Sequence, residues 1–164
     1  MAKSKKKRKA HPFGKFLAWL IVLCALAALA RFVAYEPVRM ASPAMAPLYE
    51  EGDIVIVDKL CLWTGLEVHT GDVVYAEFSS GDRLLRRVAA VAGDKLVEDE
   101  DGCIYLNGES LGVCPALTGG EIPKGAYLLL ADNEGEADSR TLGLVYRTGI
   151  NGRPYTVIPL GKVL

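Results

Sequence analysis

Residues 71–91 read GDVVYAEFSSGDRLLRRVAAV, and this stretch decides the fold class. Asp72 to Phe78 is rich in β-branched and aromatic residues, Gly81-Asp82 breaks the run, and Leu84 to Val91 resumes it. That is strand, turn, strand. The pattern spreads outward in both directions. Ile54-Val55-Ile56-Val57, Cys103 to Leu106, Tyr127 to Ala131 and Thr156 to Leu160 are further short apolar runs. Between them stand turn-forming pairs: Gly52-Asp53, Gly71-Asp72, Gly93-Asp94, Asn107-Gly108, Gly119-Gly120 and Asn151-Gly152. No helical period longer than two turns interrupts this part of the chain. The expectation is an all-β domain built from antiparallel strands.

The N-terminal part is a different object. Residues 1–35 hold eight Lys or Arg and no acid, whereas residues 36–164 hold 11 basic and 20 acidic residues, a net of −9. Phe16 to Ala30 is fifteen apolar residues in a row, FLAWLIVLCALAALA, and after Arg31 the apolar character continues to Tyr35. A span needs roughly 17–25 residues, so the stretch crosses a bilayer if Arg31 snorkels to the head groups. Trp19 and Tyr35 suit the two interfaces, and the basic flank predicts a cytoplasmic N-terminus with the β domain outside. A cleaved leader shares the basic start, apolar core and small-residue triplet Ala28-Leu29-Ala30. The apolar residues beyond Arg31 favour a retained anchor. The division expected is 1–15 basic cytoplasmic tail, 16–35 transmembrane helix and 36–164 exported β domain. Basic runs also bind nucleic acid. Here the run opens directly into an apolar segment and the main domain is acidic, so no nucleic-acid partner is expected.

Of four cysteines, Cys24 falls in the apolar stretch, leaving Cys61, Cys103 and Cys114 outside. Cys103 and Cys114 flank the Asn107-Gly108 turn. A two-residue turn places Cys103 opposite Gly112, with Cys114 off register, so a disulfide between them is left open. No spacing matches a zinc site, and neither a metal nor a cofactor is expected.

Four segments carry a family resemblance. Glu36-Pro37-Val38-Arg39-Met40-Ala41-Ser42-Pro43-Ala44-Met45-Ala46-Pro47, followed by Gly52-Asp53, resembles the first catalytic box of type I signal peptidases, the Ser/Lys peptidases of the S26 type. Gly71-Asp72-Val73-Val74 resembles their G-D-V-V strand, and Arg86 to Asp94 their K-R-V-x-G-x-P-G-D segment. Ala131-Asp132-Asn133 with Asp138-Ser139-Arg140 and Gly143 resembles their last box. The resemblance implies two antiparallel sheets of the signal-peptidase type behind one membrane helix, with a peptide groove facing the membrane. The spacer Glu36 to Ala41 is short enough to keep the first box near that surface.

The same resemblance shows where this chain departs. A Ser hydroxyl needs a neighbouring base, and a Lys serves when burial lowers its pKa. The nucleophile position, before Met45, holds Ala44; the base position, before Arg87, holds Arg86. Alanine carries no nucleophile, and a guanidinium stays protonated. Glu136 stands where the family has a Ser that bonds the lysine, and the stretch between Asn133 and Asp138 is one residue short. Ser42 matches the oxyanion-hole position, but no base is evident for it. Ser139, His69 and Cys61 complete no alternative catalytic set. Arg86 and Glu136 are expected to form an ion pair in the space of the lost dyad. Met45, Pro47, Glu136, Asp138, Ser139 and Arg140 are the residues expected to shape a peptide-binding site. The resemblance thus implies an inactive member of the pilus-accessory kind, a membrane-tethered factor for exported precursors such as sortase-assembled pilins, with sortase a possible partner. The alternative is a true signal peptidase carried in an inactivated form.

Overall fold

The computed structural model describes residues 12–65 and 67–160, and two compact units divide the chain at Ala34/Tyr35. The first unit contains helix α1, Pro12–Ala34. Leu and Ala dominate it, both strong helix formers. It is apolar on every side, and Phe13–Arg31 is long and apolar enough to cross a membrane. Its bounds differ from the expected 16–35. Tyr35 is not the helix end but the first residue of a strand, opposite Asp58 and with its ring 5.5 Å from that of Tyr155.

The second unit is all-β. In chain order its strands are β1 (Tyr35–Arg39), β2 (Ile54–Asp58), β3 (Val73–Glu77), β4 (Arg83–Ala90), β5 (Lys95–Glu98), β6 (Cys103–Leu106), β7 (Glu109–Val113), β8 (Gly120–Glu121), β9 (Ala126–Leu130), β10 (Val145–Tyr146) and β11 (Ile150–Ile158). A one-turn helix, α2 (Ser139–Leu142), lies between β9 and β10. Seven strands form one sheet in the order β1-β2-β11-β3-β4-β9-β10, and four form another, β7-β6-β5-β8. Every strand pairing is antiparallel, as the dense turn signals predicted.

Three apolar clusters hold these sheets. Met40, Met45, Val55, Val57, Tyr75 and Leu85 pack beneath the β1-β2 end. Val74, Phe78, Val88, Leu129 and Ile150 fill the middle of the large sheet. Ala90, Ala126 and Leu128 of the large sheet meet Leu96, Ile104 and Leu106 of the small one. β3 is buried on both faces, with Val74 and Ala76 in one cluster and Tyr75 in another, which explains its unbroken apolar run.

Two local readings change. Asn151-Gly152 is not a turn: it lies inside β11, where the strand passes from pairing with β3 to pairing with β2. A Cβ at Gly152 would meet the Asp58 carbonyl oxygen at 2.5 Å, so glycine is required there by close approach. Asn107-Gly108 is the expected tight turn, with φ of 53° and 87°. A bulge between Ile104 and Tyr105 then shifts the hairpin so that Cys103 faces Val113. Cys114 instead packs in the cluster with Ile104, and both thiols are free.

Candidate functional site

The four sequence segments meet at one place. Asn133 joins the first and last: its backbone N–H donates to the Ala44 carbonyl at 3.0 Å, and its Nδ2 donates to the Pro43 carbonyl at 2.7 Å. Arg87 joins the other two. Its Nε and Nη2 fork onto the Asp132 carboxylate at 2.8 and 2.6 Å, while Nη1 reaches the Gly71 carbonyl at 2.9 Å. Gly71 N–H donates to the Val88 carbonyl, and Val88 N–H returns a bond to the Asp72 carbonyl, both at 2.8 Å. Paired forks of this kind fix orientation as well as distance.

Ala44, expected at the nucleophile position, has 0 % of its surface exposed. It precedes Met45, also fully buried, whose side chain anchors the 40–49 segment in the β1-β2 cluster. Local bonds set the loop: Ala46 N–H donates to the Pro43 carbonyl and Tyr49 N–H to that of Met45. Ser42 is half-buried, whereas Pro47 and Leu48 are exposed.

Arg86, expected at the base position, is only 3 % exposed. It does not ion-pair with Glu136. Its Nε and Nη2 both donate to the Ala137 carbonyl, at 2.8 and 2.6 Å, and its Nη1 to the Leu85 carbonyl at 2.6 Å. The shortened 134–137 stretch brings a main-chain oxygen to the guanidinium, and that oxygen takes the place assigned to the Glu136 carboxylate. Glu136 is half-exposed and acts on Arg86 only through space, less than Asp138 does. Burial draws the guanidinium below its ordinary pKa, and the two carboxylates pull it back upward.

Asp138 and Ser139 support the site from behind. Asp138 is fully buried; it caps α2 through the Arg140 N–H and accepts from the Ala131 N–H at 3.1 Å. The Arg140 guanidinium closes on the same carboxylate at 2.7 Å, and that bond holds Arg140 more firmly in its charged form. Ser139 Oγ accepts from the Leu129 N–H at 2.9 Å. Met45, Asp138 and Ser139, expected to touch a peptide, are thus framework. Pro47, Glu136 and part of Arg140 reach the surface.

Chemically the arrangement offers three fixed guanidinium groups, those of Arg86, Arg87 and Arg140, with buried carboxylate support from Asp138 and no side-chain oxygen at position 44. Asn133 and Arg87, which tie the segments together, were not among the residues expected to form the site. The pairing of Asp132-Asn133 with two basic residues on one strand was the signal for them. Among the described residues no group of three or more His, Cys, Asp or Glu is placed to hold a metal ion.

The family model and the curated relatives agree. Residues 13–118 match the family model described as "Signal peptidase, peptidase S26". Signal peptidase I U of Bacillus subtilis (strain 168) is 29 % identical, covering 97 % of this chain and 94 % of its own. Signal peptidase I of Bacillus amyloliquefaciens is also 29 % identical, over 89 % of this chain and 85 % of its own. Among solved structures, a signal peptidase I from Enterococcus faecalis V583 aligns with a TM-score of 0.43 at 22 % identity, covering 54 % of this chain and 97 % of that one.

Proposed function

Because the chain belongs to the signal peptidase family, peptidase S26, we propose that it is a membrane-anchored member that has given up hydrolysis and retains recognition of exported precursors. The apolar helix and the family fit a membrane-anchored protein. The positive-inside bias of residues 1–35 supports the reading that the N-terminus is cytoplasmic and the β domain outside.

One observation carries the loss of hydrolysis: the Arg86 guanidinium is buried and spends three bonds on main-chain carbonyls. A general base must be able to lose its proton, and a guanidinium in a protein does not. Ala44, at the nucleophile position, supplies no side-chain oxygen to activate, and its carbonyl is already occupied by Asn133. Charge and hydrogen bonds that would have served a Ser/Lys dyad now hold the loop and the last segment together.

With Met45, Asp138 and Ser139 buried, a client touches the exposed rim, namely Pro47, Leu48, Glu134 and Glu136. An extended peptide there gains main-chain bonds and shallow side-chain contacts, enough for positioning without chemistry. Precursors of sortase-assembled pilins are the clients to examine first, with sortase as the enzyme receiving them.

The test uses the full chain in lipid nanodiscs with a precursor carrying an intact signal sequence. The unaltered chain binds the precursor and leaves it uncut. Ala44→Ser combined with Arg86→Lys restores no cleavage, because Glu136 and the shortened stretch still mis-shape the base's surroundings. Cleavage by that double variant establishes the second reading, a signal peptidase in inactivated form.

A further inference from the structure

The four-stranded sheet has one packed face and one bare face. Leu96, Ile104 and Leu106 point into the cluster shared with the large sheet. On the other side, Val97 lies opposite Tyr105 across β5 and β6, and Cys103 lies opposite Val113 across β6 and β7. Directly opposed residues share a face, as do residues two apart on one strand. Val97, Tyr105, Cys103 and Val113 therefore form one apolar row across three strands. Its ends are open, with Val97 61 % and Val113 68 % exposed, and its middle is half-exposed.

The surroundings of this row are acidic. Residues 94–121 contain seven acids and one base, Lys95, so this short stretch holds most of the −9 carried by residues 36–164. Glu98, Asp99, Glu100 and Asp101 run together at the β5–β6 turn, Glu109 opens β7 and Glu121 lies in β8, all exposed. Asp99 is used locally, accepting from the Asp101 and Cys103 N–H groups. Glu100 and Asp101 flank the row without such a task for their carboxylates.

We propose that this bare face docks a cationic segment of a partner protein, Lys- or Arg-bearing with apolar side chains that cover the Val97–Val113 row. The sign of the charge selects the occupant. A second copy of the domain would bring one acidic face against another, and an anionic lipid surface attracts basic segments and repels this one. A basic segment with apolar residues meets both features at once: carboxylates at the rim and an uncovered row at the centre. The inference concerns a surface separate from the Ala44–Arg86 site and stands whether or not that site cleaves.

The experiment measures alkylation of Cys103 by mass spectrometry in the full chain held in nanodiscs, with and without a synthetic peptide alternating Lys and Leu. Cys103 sits in the row, so an occupied face shields it, while Cys61 serves as the internal control. The expected result is about a fivefold slowing at Cys103 alone, abolished by Val97→Ser with Val113→Ser and, separately, by Glu100→Lys with Glu121→Lys. A Glu/Leu peptide gives no protection. Equal protection of Cys61 and Cys103 overturns the proposal, and so does protection that survives both pairs of substitutions. Protection lost only on charge reversal also overturns it, since the apolar row would then have no part. All four substituted residues are exposed, and an unchanged far-ultraviolet circular dichroism spectrum confirms that each variant is folded.

Discussion

Arg86 gives two of its hydrogen bonds to a single atom, the carbonyl oxygen of Ala137, through Nε at 2.8 Å and Nη2 at 2.6 Å. One strand residue thereby pins the last segment of the site to β4. Bonds from a charged donor are worth about 1.5–3 kcal/mol each, and losing the donor leaves a partly buried carbonyl unsatisfied. Arg86→Met should lower unfolding stability by about 2–4 kcal/mol, read from urea denaturation of the full chain in detergent. Arg86→Lys, with a single ammonium and no fork, should recover only part of that loss.

Asn133 should be a clamp on the loop. Asn133→Ala removes the Nδ2 bond to the Pro43 carbonyl and leaves the main-chain bond to Ala44 in place. The expected cost is about 1 kcal/mol, felt locally. Hydrogen exchange at the Ala46 and Tyr49 amides, whose bonds shape the loop, should quicken by about fivefold, with the amides of β6 and β7 unaffected.

Gly152 tolerates no side chain. Besides the Asp58 oxygen, an added Cβ would sit 2.6 Å from Val57 Cγ1, in the packed middle of the sheet. Gly152→Ala should destabilise by more than about 2 kcal/mol, whereas Gly81→Ala, with open space around it, should cost about 1 kcal/mol or less from its positive φ. Thermal unfolding of the two variants side by side separates close approach from backbone preference.

Cys114 gives a stability that depends on alkaline pH. Burial raises its thiol above the ordinary 9.0, aided by nearby Asp138 and Cys103 and opposed by Arg140. The unfolded thiol therefore ionises first. This contribution is complete below about pH 9 and is lost as pH rises through the higher folded value. The urea midpoint should fall as pH rises above about 9, and less steeply in Cys114→Val. In the native chain the half-exposed Cys103 should react with a maleimide well before the buried Cys114.

The sequence announced the central strands clearly and the peripheral ones poorly, for a physical reason. Val73–Glu77 and Arg83–Ala90 are packed in the sheet's interior, so their composition alone identifies them. Lys95–Glu98 buries only Leu96 and carries no such signature, while Glu109–Val113 was legible only through the Asn107-Gly108 turn that folds it back on β6. β11 was legible only at its apolar end, because Gly152 and Pro154 resemble punctuation and the reason for the glycine is the Asp58 carbonyl, a neighbour distant in sequence. At the site, the meeting of the four segments followed from motif order. The Arg86 geometry did not: whether a guanidinium finds Glu136 or the Ala137 carbonyl depends on the path of a shortened loop, which residue types do not encode. Likewise, Met45 and Asp138 read as candidate contacts because sequence shows a residue's chemistry but not which way it faces.

β11, the last strand in chain order, lies between β2 and β3. Without it the large sheet is two fragments, a β1-β2 hairpin and a β3-β4-β9-β10 ribbon, with no strand pairing between them among the described residues. A chain emerging from its N-terminus must therefore wait until residue 158 is available before the sheet can close. The two halves of the large sheet are therefore joined last, by the strand farthest from the N-terminal helix, and removing that strand costs the sheet its continuity rather than only an edge.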